Sequence, residues 1–163
     1  MRIWTAFAVF ALIAFSSARV VKIKKVFWGD SFVTEKGEMV RFLGIRAPLR
    51  GEPAGREAAD SARAMLAGKQ ADLQFDSTGE TRDETGATLA YVFLICDTCE
   101  GASLKSTVGR TNELSFQAPL ININNRLLEK GYACLEPSRV CARTPYFKFL
   151  EKTAKNRKLG MWK

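Results

Sequence analysis

The sequence contains no histidine. That absence removes the side chain that most often serves as a general base near neutral pH, and the commonest zinc ligand. Chemistry is left to carboxylates, Arg, Lys, Tyr and Cys. Acidic residues are in the minority, 17 against 25 Lys plus Arg, so the chain carries a formal charge of +8 and a pI near 9.5. Such a balance favours anionic partners and does not choose between nucleic acid, an anionic membrane and an acidic protein face. An apolar run of membrane-spanning length is missing too: residues 3–15 are apolar apart from Thr5, short of the about 20 residues a span needs. Hydrophobic residues nonetheless make up 47% of the chain, which excludes global disorder, and 163 residues suffice for one domain with a real core.

The N-terminus reads separately from the rest. Arg2 precedes the apolar run, and Ser16-Ser17-Ala18 follows it with the small residues a signal peptidase reads. A second reading is a retained anchor. Arg19, Lys22, Lys24 and Lys25 follow directly, and clustered cations resist translocation. The chain therefore divides into residues 1–18, a signal peptide or membrane anchor forming an apolar helix, and a domain over 19–163. It is expected either at a membrane through residues 1–18 or exported after cleavage.

From Val20 the pattern is strand-like, with Val20, Val21, Ile23, Val26 and Phe27 interleaved with lysines. Trp28-Gly29-Asp30 reads as a turn, 31–34 as a strand, 35–38 as a hairpin loop and 39–45 as a third strand. A helix is expected over 55–69, where Ala58, Ala59, Ala62, Met65 and Leu66 share one side. Strands are expected over 70–75 and 87–95, and helices over 120–130 and 145–158, the last with Pro145 at its start behind Thr144 as cap. Five strands with a helix between the third and fourth give an α+β fold, a five-stranded OB-type Greek-key barrel with three helices. Phe27, Phe32, Phe42 and Phe75 sit at strand positions that read as core, leaving no evident stacking platform. The cations of the last helix, Lys148, Lys152, Lys155, Arg157 and Lys158, read as a solvated face.

Six blocks in order carry a more specific likeness. They are Gly29-Asp30-Ser31, the stretch from Arg41 to Pro48, Gly55-Arg56-Glu57-Ala58, the stretch from Asp83 to Tyr91, the stretch from Ile123 to Ala133, and Ala154-Lys155 with Leu159-Gly160-Met161-Trp162. Together they resemble the staphylococcal nuclease (thermonuclease) family over nearly the whole chain after the leader. The resemblance implies an OB barrel. In that family two aspartates hold calcium, a glutamate acts as base on water and two arginines neutralise the scissile phosphate. Carried over position by position, the first calcium aspartate is Asp30 and the first phosphate arginine is Arg41. The second aspartate is replaced by Arg46, the glutamate by Leu49 and the second arginine by Ala87. Each replacement removes the role of its position. The resemblance thus implies a degenerate site that binds no calcium and does not act as an enzyme. Glu52 and Arg50 are the neighbours able to rescue it from a shifted loop. An ion pair between Asp30 and Arg46 is expected to stand in for the metal, with Asp30 and Arg41 otherwise remnants of scaffold.

Cys96 and Cys99 form a C-x-x-C after the fifth strand, and Cys134 and Cys141 flank the loop before the last helix. Two disulfides, a four-thiolate structural zinc site and four unlinked thiols all fit. Residues 101–119 form a polar insertion. The function expected is an accessory or interaction subunit in a protein complex at or beside a membrane. Nucleic-acid binding after export is the alternative, a rearranged nuclease the third reading, and a small-molecule substrate is not expected.

Overall fold

A computed structural model describes residues 19–77, 80–95 and 120–163. The apolar helix expected within 1–18, Cys96, Cys99 and the 101–119 insertion lie outside the described residues. Among those described, no helix is long and apolar enough to cross a membrane.

The barrel starts from one long strand, β1 (Arg19–Trp28). Its first half pairs antiparallel with β5 (Gln70–Gln74) and its second half with β2 (Ser31–Thr34). Register shifts at Ile23/Lys25 and Val26/Trp28 allow this change of partner, because an extra residue bends and twists a strand. They also break strict alternation, so Ile23 and Val26, three apart, are the two buried residues of β1. β2 turns back into β3 (Met39–Phe42), and β3 runs parallel to β6 (Thr88–Ile95) with Val40 opposite Thr88 and Phe42 opposite Ala90. β6 is antiparallel to β5, which returns to β1. The circuit β1-β2-β3-β6-β5 is the closed five-stranded barrel expected from the sequence, and closure leaves no free edge within it. Phe32 and Phe42 meet edge to face inside at 6.0 Å between ring centroids, each fully desolvated.

Three helices surround the barrel. α1 (Gly55–Leu66) turns Ala58, Ala59, Ala62 and Leu66 inward, as their spacing predicts. α2 (Ile123–Glu129) and α3 (Thr144–Asn156) pack on each other, with Phe147 of α3 set edge to face on Tyr91 of β6 at 6.1 Å. Two short strands, β4 (Ile45–Arg46) and β8 (Cys134–Leu135), pair antiparallel beside the barrel.

Several expectations shift, among them the helix expected over 55–69, which ends at Leu66. The third strand stops at Phe42, because the chain turns at Gly44 before β4. The helix expected from 120 begins at Ile123. Leu120–Asn122 is instead a strand, β7, on the end of β6, and Asn122 caps the helix by accepting from the Asn125 amide at 2.9 Å. Thr144 is not a cap. Its hydroxyl accepts from the Cys141 amide at 2.9 Å, and Pro145 occupies the first turn of α3 as its fixed φ favours.

Candidate functional site

The turn between β1 and β2 sets Asp30 at the head of a cavity. This turn lies hard against its neighbours: a Cβ on Gly29 would stand 2.6 Å from the Ala47 Cβ and 3.1 Å from that of Ala58. The peptide of Ala47 is consequently near enough for its N–H to donate to Asp30 Oδ2 at 2.9 Å. Burial of Asp30 raises its carboxyl above the ordinary range, and the Ala47 N–H, Arg41 and Arg46 only partly oppose this. The cavity encloses about 290 Å³. Trp28, Asp30, Ser31, Arg41, Arg46 and Leu49 are among the residues on its walls.

Arg41 projects from β3 and donates to Asp83 Oδ2 at 3.2 Å. Asp83 organises the turn before β6. Its Oδ1 accepts from the Thr85 amide at 2.9 Å, the Thr85 hydroxyl at 2.6 Å and the Ala87 amide at 2.9 Å. Burial works against the Asp83 charge, but the bonds from Thr85, Ala87 and Arg41 outweigh it and hold the carboxyl below its usual range. Arg139, from the loop before α3, reaches the same turn. It stands 3.7 Å from Asp83 Oδ2 and donates to both Glu84 oxygens at 3.1 and 3.0 Å.

The cavity thus brings together Asp30, Arg41, Arg46 and Leu49. Ala87 is buried beneath the Asp83 carboxylate instead, engaged through its amide. Leu49 is 53% exposed at the rim. Glu52 does not reach the cavity walls, because its carboxylate accepts from the Leu49 amide at 2.8 Å and closes the local turn. The expected Asp30–Arg46 ion pair is not formed among the described residues. Asp30 is turned to the Ala47 amide, while the Arg46 side chain is exposed.

Asp83, Thr85 and Arg139 did not emerge as site residues from sequence reasoning. Asp83 had a signal in the Asp83-Glu84-Thr85-Gly86 turn. Arg139 had none, being 55 residues from Glu84. Phe27, expected in the core, is 37% exposed, and Trp28 beside it is 42% exposed. The register shift between Val26 and Trp28 turns both outward, with Lys25 Nζ 4.9 Å from the Phe27 ring centre. Phe32 and Phe42 are core as expected, and Phe75 packs partly buried against it.

A family model described as staphylococcal nuclease homologue matches residues 39–163. The chain belongs to the staphylococcal nuclease family. No curated protein matches the sequence. The family match begins at β3, so it takes in Arg41, Arg46, Leu49 and Ala87 and leaves Asp30 upstream.

Calcium takes about six to eight oxygen ligands, several of them from carboxylates. Among the described residues this cavity presents one carboxylate, already accepting a peptide N–H and biased toward its neutral form, together with two guanidinium groups. Such a donor set does not fit calcium. Among the described residues no cluster of three or more His, Cys, Asp or Glu is arranged to hold a metal. Cys134 and Cys141 are free thiols, so no disulfide joins them. They face different neighbours: Cys134 Sγ lies 3.5 Å from the Arg46 carbonyl, and Cys141 is buried against Gly44. Burial raises the Cys134 thiol above its ordinary range.

Proposed function

We propose that this chain is a nuclease-inactive member of the staphylococcal nuclease family that works by binding, as an accessory subunit of a protein assembly at or beside a membrane. The observation that carries the reading is that Arg46 shares one cavity with Asp30 and Leu49 occupies its rim. A guanidinium repels a divalent cation, and an exposed leucine accepts no proton. Arg41 is bound to Asp83 and serves the scaffold. The membrane component of the reading rests on the apolar run over 3–15 and the cations that follow it.

Incubation of the full chain with single-stranded DNA and RNA in millimolar calcium tests the inactivity, and cleavage that a chelator abolishes would overturn it. Native-gel fractionation of detergent-solubilised membranes tests the accessory role. A band much larger than 18.1 kDa containing this chain supports it, and a soluble monomer beginning near Arg19 speaks for the second reading. In that second reading an exported domain grips nucleic acid without cutting, which the +8 charge and the two cavity arginines favour.

A further inference from the structure

A second groove of about 400 Å³ lies on the face where α1 packs on β1. Its side-chain walls are Lys24, Lys25, Phe27, Trp28, Arg50 and Arg63, with no carboxylate among the described lining residues. Among the described residues Lys24 and Arg50 make no ion pair, and Lys25 is engaged only with the Phe27 ring. Arg63 is held by Asp60 at 2.5 Å. The contrast with the groove at the other end of β1 is one of charge. There Arg19 is bonded to Glu38, and Lys22 pairs with Glu35 at 2.8 Å, so two of the three lining cations are matched.

We infer that the Lys24–Trp28 groove is a binding site for a single-stranded polynucleotide, in which Trp28 stacks on a base while Lys24, Lys25 and Arg50 hold the flanking phosphates. Basic walls around exposed rings supply the two elements sequence-tolerant strand binding needs, charge neutralisation and a π surface. Phe27 and Trp28, 37% and 42% exposed, line the groove and leave ring surface open to a planar base. Trp28 also lines the cavity that holds Asp30, Arg41 and Arg46, so the groove and that cavity adjoin at this residue. The inference goes beyond the proposed function and stands whether or not the cavity cuts.

The test measures binding of a fluorescein-labelled oligothymidine to the full chain in detergent and chelator, so that cleavage plays no part. Trp28→Ala is expected to weaken binding by roughly 5- to 150-fold, the range for loss of one base–aromatic stack. Combined Lys24→Glu, Lys25→Glu and Arg50→Glu is expected to weaken it further and flatten the plot of log affinity against log salt, by about 0.7 per lost phosphate contact and so by about two. Lys148→Glu with Lys152→Glu, exposed on α3, controls for net charge and is expected to weaken binding far less. No measurable binding at low salt overturns the inference, as does equal weakening by the α3 control. It is also overturned if the groove variants leave the oligonucleotide bound and instead release the chain from phosphatidylserine vesicles, which would make the groove a membrane contact.

Discussion

The Arg41 guanidinium and the Asp83 carboxylate, 42 residues apart in the chain, are joined at 3.2 Å across the side of the barrel. Arg41 lies opposite Leu89 where β3 runs parallel to β6, so the bond links the closing strand to the turn that delivers its neighbour. The Asp83 side chain is fully covered, whereas that of Arg41 is 32% exposed. The carboxylate therefore belongs to the interior of the turn, and the arginine reaches in to it. A phosphate in the cavity would have to compete with Asp83 for the same guanidinium.

Stability should track the ionisation of Asp83 on the acid side. Its folded carboxyl is held below the ordinary value, so its contribution is complete above about pH 4 and is lost as pH falls through the folded value. Asp83→Ala also leaves the Thr85 and Ala87 amides without their acceptor, which costs about 2–4 kcal/mol at neutral pH. Urea unfolding from pH 7 to pH 3 checks both. A variant whose deficit is as large at pH 3 as at pH 7 would show that the charge plays no part.

Asp30 should behave with the opposite sign. Its folded carboxyl is raised, so whatever it contributes is complete at low pH and declines as pH rises through the folded value. Asn in its place keeps an oxygen for the Ala47 amide without a buried charge. Asp30→Asn is expected to be at least as stable as the parent at pH 7, with its relative advantage shrinking toward pH 3. A marked loss at pH 7 would mean that Arg41 and Arg46 support the charge more than burial opposes it.

Asn124 extends the barrel closure with a side chain. The backbone ladder between β3 and β6 ends where the Leu43 amide donates to the Ala90 carbonyl at 3.0 Å. Beyond it, Asn124 Oδ1 accepts from the Val92 amide and its Nδ2 donates to the Leu43 carbonyl, both at 3.0 Å. The residue is fully buried, so Asn124→Ala strands one donor and one acceptor away from water and is expected to cost about 2–4 kcal/mol. The measurement is the urea midpoint at unchanged slope, and a loss under about 0.5 kcal/mol would refute the bridging role.

The barrel, its helix after the third strand and four of the residues that meet at the cavity, Asp30, Arg41, Arg46 and Leu49, were legible in the sequence. Period-two runs and turn residues are local signals, and the ordered blocks fixed the alignment of Asp30, Arg41, Arg46, Leu49 and Ala87. The pairings were not legible. Whether Arg46 meets Asp30 depends on which way Asp30 turns, and that is set by the close packing of Gly29 on Ala47. Asn124 stood inside a quoted block, yet nothing local says that it bridges backbone groups 32 and 81 residues away. Phe27 was misplaced because alternation assumes a regular strand, and the register shifts in β1 turn it outward together with Trp28. The first three residues of the expected second helix became β7 because pairing with Phe93–Ile95 outweighs local helical preference.

Gly131 closes the C-terminus onto α2. Its φ is +70°, and a Cβ there would lie 2.2 Å from the Leu159 carbonyl oxygen. Its own carbonyl accepts from the Met161 amide at 2.9 Å. An alanine meets both an unfavourable backbone region and a backbone atom that has no room to retreat. Gly131→Ala is expected to cost about 3 kcal/mol or more, beyond the about 1–2 kcal/mol of the φ alone. Thermal melting followed by tryptophan emission checks it, since Trp162 packs beside this contact. A loss no larger than that of the φ alone would mean that the terminal segment shifts freely to make room.

Arg46 offers the most direct challenge to the reading of the cavity. If its charge is what bars calcium, Arg46→Asp removes the repulsion and puts a second carboxylate in the cavity with Asp30. Millimolar calcium is then expected to raise the melting temperature of the variant and leave that of the parent unmoved. At ten times the dissociation constant the ion would add about 1.4 kcal/mol. Cleavage is not expected to return, because Leu49 still provides no base and Ala87 no second cation. Equal stabilisation of parent and variant would place calcium somewhere other than this cavity. Stabilisation of the parent that Asp30→Asn abolishes would show that Arg46 yields to the ion.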